Sequence, residues 1–356
     1  MQLSLCMIVK NEEDVLPRCL DSVKNAVDEI VIVDTGSTDA TRAIAAHYTD
    51  KIYDEPWQDD FARARNTSFA RAGGDYLLWL DADDVIAPEQ LPRLFELKKQ
   101  LARDPADMVV CGYAGGGLSF RRERIVRRCE KARWVGRVHE CISPFGRVIG
   151  SDFTVTHLGS DKPRGARNLH IYQKWRAEEP LSPRDLFYYG RELYYNRLYT
   201  EAIAVLEEML AGEGWHVNQI EACKVLASCY AAKGERIRAL NTLFRSFAFG
   251  LPRGGVCHTI GRAFQEDGKL GEAVWWYERA LACPDRSAEG DFDVPDERTL
   301  YPLLGLVYCN SLLGKLDTAL EYHKRAAVLA PTHPSVLHNQ TYFESIGMLS
   351  RSSTEI

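Results

Sequence analysis

The sequence predicts an α/β domain followed by an all-helical repeat domain. This prediction rests on three observations: short β-branched runs alternate with helical segments in the first half, strand patterns vanish from Asp185 onward, and small residues recur there at a near-constant interval. The 356 residues suit two domains of about 150 residues each, and the 46% apolar share is that of a folded protein.

The first half is predicted to form a parallel sheet with flanking helices. Strands are expected at 3–9, 29–33, 51–53 and 76–80, and helices at about 13–24, 40–48 and 61–72. The second strand runs into Asp34, and the fourth runs into the acidic segment 81–84. Open α/β sheets bind ligands at the carboxyl ends of their strands, so we expect these acids to share one edge.

The charge balance argues against a general nucleic-acid binder. The chain carries 44 Lys and Arg against 50 Asp and Glu, a net charge of −6, whereas phosphate neutralisation needs a basic surplus. Residues 111–184 are the exception, with 15 basic and 7 acidic residues. The arginine-rich run 121–137 within this segment indicates either solvated strand faces or a cover for an anionic ligand.

Cysteine usage and hydropathy bear on the compartment. The ten cysteines form no C-x-x-C pair and lie mostly in apolar runs, which favours a reducing compartment. No run approaches 18 apolar residues, and the run 3–9 is too short for the apolar region of a signal peptide. We therefore expect a cytoplasmic protein without a membrane span.

The second half predicts helix pairs of the tetratricopeptide type, with a plain helical bundle as the alternative. A small residue marks the start of each second helix at Ala202, Ala239, Ala273 and Ala319, with gaps of 37, 34 and 46 residues. A repeat of about 34 residues places a turn glycine five positions earlier.

Three glycines meet that spacing, namely Gly234, Gly268 and Gly314. The longest gap holds the acidic, proline-bearing insert 285–299, which we predict to be a loop.

The acidic segment after the fourth strand is the main chemical signal. Dinucleotide and P-loop fingerprints are both missing, which removes the main support for nicotinamide and nucleoside-triphosphate chemistry. Asp81 and Asp83 are spaced by one residue, with Asp84 beside them. Such carboxylates suit a hard divalent cation held by oxygens, with a diphosphate completing its shell. Acidic turns after strands are also common, so the motif alone leaves both interpretations open.

Four motifs in order carry a resemblance to a known family. They are LSLCMIVKNE at 3–12, VIVDTGSTD at 31–39, DFARARN at 60–66 and LDADD at 80–84. Together they resemble the nucleotide-sugar domain of family 2 glycosyltransferases, which have the GT-A (Rossmann-like) fold. The segments WVGRVHE at 134–140 and THLG at 156–159, followed by tetratricopeptide units, resemble a subgroup that includes the sublancin-type peptide S-glycosyltransferases. Those enzymes modify cysteine or serine in bacteriocin precursors.

The resemblance implies roles at the donor edge. Asp34 would accept a hydrogen bond from a base such as uracil, Asp81 would meet the ribose, and Asp83 would bind the metal, Mg²⁺ or Mn²⁺. The rest of the implied nucleotide-sugar set comprises Val9, Asn11, Glu12, Arg65, Asn66 and Ala82. An aspartate that ends a strand also suits a helix cap or loop anchor, which is the alternative for Asp34.

Arg65 and Asn66 lie on the predicted helix just before the acidic strand. A cation at this place would hold the diphosphate or orient Asp81. A surface arginine is the alternative.

Inverting sugar transfer needs a cation to stabilise the departing diphosphate and a base to take the acceptor proton. We predict Glu140 as the base, because it ends a segment where the family places acceptor-side acids; a salt bridge with the nearby arginines is the alternative. His157 is predicted to complete the metal shell. His139 is the second candidate for either role.

These expectations assemble into one hypothesis. The domains are predicted as a nucleotide-sugar core at 1–110, an acceptor-side extension at 111–184, a tetratricopeptide domain at 185–345 and a tail at 346–356. The predicted activity is metal-dependent transfer from a nucleotide sugar, expected to be a UDP-sugar, to Cys or Ser of a peptide or protein. The partner is expected to be a second copy, giving a homodimer. A cell-envelope saccharide as acceptor, or a non-catalytic tetratricopeptide scaffold, are the alternatives.

Overall fold

The computed structural model describes residues 1–115, 118–159, 166–286, 290, 292 and 294–350. The chain divides into two compact units, Met1–Pro180 and Leu181–Ile356. The division lies four residues before residue 185, where the sequence predicts the helical region to begin. Residue 110 falls inside a strand, so the predicted core and its extension share one sheet.

The first unit is built on a mixed sheet. Its strands are β1 (Leu3–Val9), β2 (Glu29–Asp34), β3 (Ile52–Asp54), β4 (Tyr76–Trp79), β5 (Asp84–Val85), β6 (Met108–Gly115), β7 (Leu118–Arg127), β8 (Trp134–Val135), β9 (Cys141–Ile142) and β10 (Val148–His157). Eight of these form one sheet in the order β3-β2-β1-β4-β7-β6-β10-β5, and β8 pairs with β9. The first half of that sheet is parallel; β7 joins it in the antiparallel sense.

Five helices belong to the described part of this unit, and the first three connect parallel strands of the sheet. They are α1 (Leu16–Val23), α2 (Thr41–Ala45), α3 (Phe61–Arg71), α4 (Leu91–Arg103) and α5 (Arg167–Glu178). The helix α3 begins where predicted, because the carboxylate of Asp60 caps it by accepting from the Arg63 amide at 2.9 Å. The helix α1 begins at Leu16 rather than near residue 13, with Pro17 preorganising its first turn. The sequence analysis did not predict α4.

The central strands bury both faces, as their apolar runs require. Alternate residues of β1 enter different clusters: Leu3, Leu5 and Met7 pack on one face of the sheet, while Cys6 packs on the other. Since β2 and β4 both run parallel to β1, their carboxyl ends meet at one edge. Asp34 and the acidic segment therefore lie at the same edge of the sheet, as predicted.

The second unit is helical throughout its described residues. Its helices are α6 (Pro183–Tyr195), α7 (Tyr199–Ala211), α8 (His216–Ala232), α9 (Arg236–Arg245), α10 (Gly254–Glu266), α11 (Leu270–Ala282), α12 (Pro295–Arg298), α13 (Leu300–Leu312), α14 (Leu316–Leu329) and α15 (Pro334–Ser345). Consecutive helices pack as pairs, α6 with α7, α8 with α9, α10 with α11 and α13 with α14. This is the tetratricopeptide-like arrangement that the spacing predicts.

The repeat residues explain the pairing. Buried alanines stand near the start of each second helix, at Ala202, Ala239, Ala273 and Ala319. The turn glycines Gly234, Gly268 and Gly314 have positive φ angles of 79°, 74° and 72°, which glycine adopts without strain. The insert 285–299 is not wholly a loop, because α12 lies within it; its residues 287–289, 291 and 293 lie outside the described residues.

Two further expectations concern the whole chain. Across the residues that the structure describes, no helix is both long enough and apolar enough to cross a bilayer. All ten cysteines are free thiols, and seven of them are buried. Of the predicted tail 346–356, residues 351–356 lie outside the described part.

His258 is a titratable group in the helical core. It lies on α10 between the rings of Tyr277 and Tyr301, with centroids 5.8 and 5.9 Å away. Its Nδ1 is buried and has no hydrogen-bond partner among the described residues. Burial, together with the positive charges of Arg262 and Lys224, lowers the pKa of His258 from 6.5 to about 4.

The helical unit should therefore lose stability on acidification. Between pH 6.5 and about 4 the unfolded chain binds a proton at this histidine and the folded chain does not, so stability falls as the pH falls through this window. From neutral pH to about pH 5 we expect a loss of about 2 kcal/mol in the opening free energy of α10. Hydrogen exchange measured on wild type and His258→Phe checks this. An equal pH dependence in both proteins would contradict it.

Candidate active site

Arg65 links carboxylates from two distant segments of the chain. It lies on α3, and its side chain is only 8% exposed. Its Nε donates to Oε1 of Glu140, and its Nη2 donates to Oδ1 of Asp81, both at 2.6 Å. The guanidinium therefore joins the acidic segment after β4 to the end of 134–140, which lies 59 positions further along the chain. The alternative of a surface arginine is wrong.

Two tryptophans cover this guanidinium. Its carbon Cζ lies 4.9 Å from the ring centroid of Trp79 and 4.8 Å from that of Trp134, within cation–π range. Burial alone would lower the pKa of Arg65 and raise that of Asp81. The mutual attraction outweighs it in both: the pKa of Arg65 is raised, and that of Asp81 falls to about 2. Both groups are charged at neutral pH.

Asn66 has a different task from its neighbour. Its amide Nδ2 donates to the carbonyl of Trp134 at 3.0 Å, and its Oδ1 accepts from the Trp134 amide at 2.9 Å. This two-point contact fixes β8 against α3. It accounts for Asn66 structurally, and a direct contact with a nucleotide sugar stays a prediction.

The loops after β1 and β2 are interlocked. Asp34 is 4% exposed, and its Oδ1 accepts from the amides of Gly36 and Ser37 at 3.0 and 2.8 Å. Asn11, at φ 54°, accepts from the Thr38 amide at 2.8 Å through its Oδ1. The Asp34 carboxylate is therefore a loop anchor, as its alternative interpretation holds, and a contact with a base would be an additional role.

The other residues predicted for nucleotide-sugar binding lie close to these loops. The amide of Glu12 donates to Thr41 Oγ1 at 2.6 Å. Val9 and Ala82 are buried, at 3% and 6% exposed, and the Val9 carbonyl already accepts from the Thr35 amide at 3.0 Å, so a contact of either residue with a nucleotide sugar stays a prediction.

Asp83, Asp84 and His157 form a compact donor cluster. One potential ligand atom of each lies within 4.8 Å of the others. The strand β5 pairs with β10 in the antiparallel sense, which sets Asp84 opposite His157. The Nδ1 of His157 lies 3.5 Å from Oδ1 of Asp83 and 3.3 Å from Oδ1 of Asp84. Two carboxylates and an imidazole are donors that can bind a divalent cation.

Neighbouring charges shift the pKa values of this cluster. Burial raises the pKa of Asp83, and the carboxylates of Asp81 and Asp84 add to that increase. The hydrogen bond to Asp84 raises the pKa of His157, as does the nearby charge of Asp83. The cluster thus concentrates negative charge, which a cation would neutralise.

The sequence analysis missed the groups that hold Asp84. Arg124 on β7 is fully buried, and its Nη1 donates to Oδ2 of Asp84 at 3.0 Å. Tyr113 on β6 donates its hydroxyl to Oδ1 of Asp84 at 3.0 Å. The sequence predicts either solvated strand faces or a cover for an anionic ligand in the run 121–137. Arg124 fits neither prediction, because it is buried and pairs with a carboxylate. The apolar Ile125–Val126 pair beside it is the one local hint that this part of β7 is interior.

Glu140 and His139 lie on the other side of Arg65. Glu140 is 7% exposed, its carboxylate accepts from Arg65, and its carbonyl accepts from Arg122 Nη2 at 2.9 Å. The salt bridge that was its alternative interpretation is therefore present. His139 adopts φ 51° and stacks on Tyr172 with centroids 6.4 Å apart. Their roles as acid–base groups stay predictions.

Comparison with known proteins identifies the family. Residues 4–156 match the family described as Glycosyl transferase family 2. The lipopolysaccharide core biosynthesis glycosyltransferase LpsC of Rhizobium meliloti is 30% identical over 222 residues, which cover 56% of this chain and 81% of LpsC. The chain belongs to the family 2 glycosyltransferases, and its first unit has the GT-A-like fold.

Two other relatives extend the comparison. A TPR repeat-containing protein of Synechococcus elongatus is 31% identical over 293 residues, covering 80% of this chain and 66% of the relative. The SPbeta prophage-derived glycosyltransferase SunS of Bacillus subtilis is 30% identical over 219 residues, covering 57% and 52%. The chain thus spans between about half and just under two thirds of the lengths of these two relatives.

The Arg65 bridge should be sensitive to the shape of the cation. A lysine keeps the charge but has one ammonium, which cannot replace both the Nε and the Nη2 contacts, so either the buried Glu140 or the partly exposed Asp81 loses its partner. We expect Arg65→Lys to lower the free energy of unfolding by about 3 kcal/mol, the lower end for a broken buried pair.

Urea denaturation followed by tryptophan fluorescence measures this loss. Arg63→Lys is the matched control, because Arg63 lies on the same helix and its ion pair with Glu55 is 51% exposed on the arginine side. The control should change stability by less than about 0.5 kcal/mol. Equal midpoints for the two variants would show that the bridge does not stabilise the unit.

Proposed function

We propose that this protein is a metal-dependent inverting glycosyltransferase that transfers a sugar from a UDP-sugar to Cys or Ser of a peptide or protein. One observation carries the proposal furthest. Arg65 binds Asp81, the expected ribose contact, and Glu140, the expected base, in a single buried bridge. In this proposal the ribose contact and the base would lie next to each other.

On the donor side, we propose that Asp34, Asn11 and Glu12 contact the nucleotide. Their loops are fixed by hydrogen bonds before any ligand arrives, so less ordering is needed on binding.

Asp83 and His157 are the residues that we propose to hold Mg²⁺ or Mn²⁺. The bound cation would stabilise the negative charge that develops on the departing diphosphate. The side chain of Asp83 remains 21% exposed and that of His157 34%, so both are accessible from solvent.

In the proposed reaction, the acceptor oxygen or sulfur forms a bond to the anomeric carbon while the bond from that carbon to the diphosphate breaks. The acceptor proton passes to Glu140, or to His139 if Glu140 acts only through Arg65. A thiol acceptor needs less help, because its pKa near 8.5 leaves a few per cent thiolate at neutral pH.

The acceptor is proposed to be a peptide because the second unit is built of tetratricopeptide-like helix pairs, which present extended surfaces for binding chains. The similarity to LpsC favours a second candidate, a saccharide of the cell envelope. We also propose a homodimer through the helical unit, whose side chains at Leu312 and Val328 are 59% and 84% exposed. Sedimentation velocity at micromolar concentration measures that state.

The metal role leads to the first functional prediction. With UDP-sugars and Mn²⁺ or Mg²⁺ we expect donor hydrolysis or transfer, and we expect Asp83→Ala to abolish it while leaving the fold intact. Asp83 lies in a partly exposed turn and adds little stability. Asp152→Ala, at an exposed position of β10, is the control and should retain activity. Full activity in excess chelator would contradict metal dependence.

The acceptor prediction separates the two candidates. Mass spectrometry after incubation with a UDP-sugar should show a hexose added to Cys- or Ser-containing peptides, and no addition with the Asp83→Ala enzyme. Transfer to lipopolysaccharide core fragments alone would favour the saccharide acceptor instead.

Glu140→Gln tests the base. Glutamine keeps the shape and the hydrogen bond to Arg65 but cannot take a proton, so we expect unchanged donor affinity and a fall of about 10²- to 10⁴-fold in transfer to a hydroxyl acceptor. Glu96→Gln, on the exposed face of α4, is the control. If donor affinity falls together with the transfer rate, Glu140 is not the base. It would then act by holding Arg65, which in turn holds Asp81.

A further inference from the structure

Asp84 differs from its neighbour Asp83 in exposure. The side chain of Asp83 is 21% exposed, whereas that of Asp84 is fully buried. Both face His157, so distance alone does not tell which of them would bind a cation.

The oxygens of Asp84 are already saturated with donors. Its Oδ1 accepts from the Tyr113 hydroxyl at 3.0 Å and lies 3.3 Å from His157 Nδ1. Its Oδ2 accepts from Arg124 Nη1 at 3.0 Å and from the Asp81 amide at 3.1 Å. A carboxylate has about four acceptor positions, and all of those on Asp84 are used.

The positively charged side chain that pairs with Asp84 is Arg124, and it is enclosed by aromatic rings. Arg124 is fully buried, and its Cζ lies 3.7 Å from the ring centroid of Trp79 and 4.4 Å from that of Tyr113. Its Nη1 also donates to the Trp79 carbonyl at 3.3 Å. A divalent cation bound to Asp84 would meet this fixed positive charge and would have to displace at least one donor.

The backbone fixes His157 from two sides. The amide of Leu158 donates to the Asp83 carbonyl at 3.1 Å, next to the register pair of Asp84 and His157. Gly115, at the end of β6, approaches so closely that a Cβ there would overlap the carbonyl of His157. With the backbone held, the remaining freedom of His157 is the rotation of its ring and the position of its proton.

We propose that Asp84 is a positioning residue and not a metal ligand: with Tyr113 and Arg124 it holds the Nδ1–H of His157 and so sets the orientation of that ring beside Asp83. Carboxylates in this supporting place fix the tautomer and orientation of metal-binding histidines. The inference rests on the proposed metal role of Asp83 and His157. The prediction that His157 carries its proton on Nδ1 does not depend on a bound cation.

The tautomer is tested first, on the full-length metal-free protein with ¹⁵N-labelled histidine at alkaline pH. We expect the His157 nitrogens to show hydrogen on Nδ1 in wild type and a shift toward the Nε2–H form in Asp84→Asn, whose amide can donate to Nδ1. Tyr113→Phe removes one donor to Asp84 but keeps the buried ion pair, and it should retain the Nδ1–H form. Tyr76→Phe is the matched control, since its buried hydroxyl donates to the Ala106 carbonyl, away from the cluster. An Nε2–H form in wild type would overturn the proposal.

Mn²⁺ binding, measured by electron paramagnetic resonance, is the second test. We expect Asp83→Asn to abolish binding, and Tyr113→Phe and Asp84→Asn to weaken it by about 10- to 100-fold, as for supporting groups. If Asp84→Asn abolishes Mn²⁺ binding as completely as Asp83→Asn does, Asp84 is a metal ligand and the proposal is wrong. If Asp84→Asn does not fold, the Mn²⁺ affinity of Tyr113→Phe is the deciding measurement. If the wild-type protein binds no Mn²⁺, either alone or with UDP, the metal role of Asp83 and His157 is wrong. The positioning role of Asp84 is then decided by the tautomer measurement.

Discussion

The buried guanidinium of Arg65 is the interaction on which the rest of the site depends. Removing a charge from water is costly, and the cost is offset only when partners are close and well oriented. Arg65 meets this condition through two carboxylates at 2.6 Å and two indole faces. Those partners come from β4 with the turn after it, and from residues 134–140, which begin with β8. The bridge therefore fixes the relative position of two chain segments that do not pair as strands.

Trp79 extends this constraint across the sheet edge. Its ring lies within 5 Å of the guanidinium carbons of Arg65, Arg122 and Arg124. It is also the last residue of β4, two positions before the acidic segment. Arg65 pairs with Asp81, and Arg124 pairs with Asp84. The acid between them, Asp83, is the one without an arginine partner among the described residues, and it is the carboxylate that we propose to bind the cation.

The sequence predicts those parts of this arrangement that local pattern controls. The apolar runs fix β1, β2 and β4, the Asp60 cap fixes the start of α3, and the alanine spacing fixes the helix pairs. The partners of the acids were not predictable in the same way. Arg124 lies in an arginine-rich run that resembles a solvated face, and its burial follows from the pairing of β7 with β4, which the sequence does not specify. Likewise, nothing local pairs β5 with β10.

Most of the polar groups at this sheet edge already have partners in the ligand-free protein. Groups that already make their hydrogen bonds and ion pairs in the free protein do not need to reorganise when charge develops beside them, and this is the main source of electrostatic catalysis. The loops of Asp34 and Asn11, the bridge at Arg65 and the carboxylate of Asp84 are all in this state. The side chains of Asp83 and His157 are partly exposed, at 21% and 34%, so they are the groups of the site that contact solvent. Binding would then reorder few groups, and these are the ones in contact with the ligand.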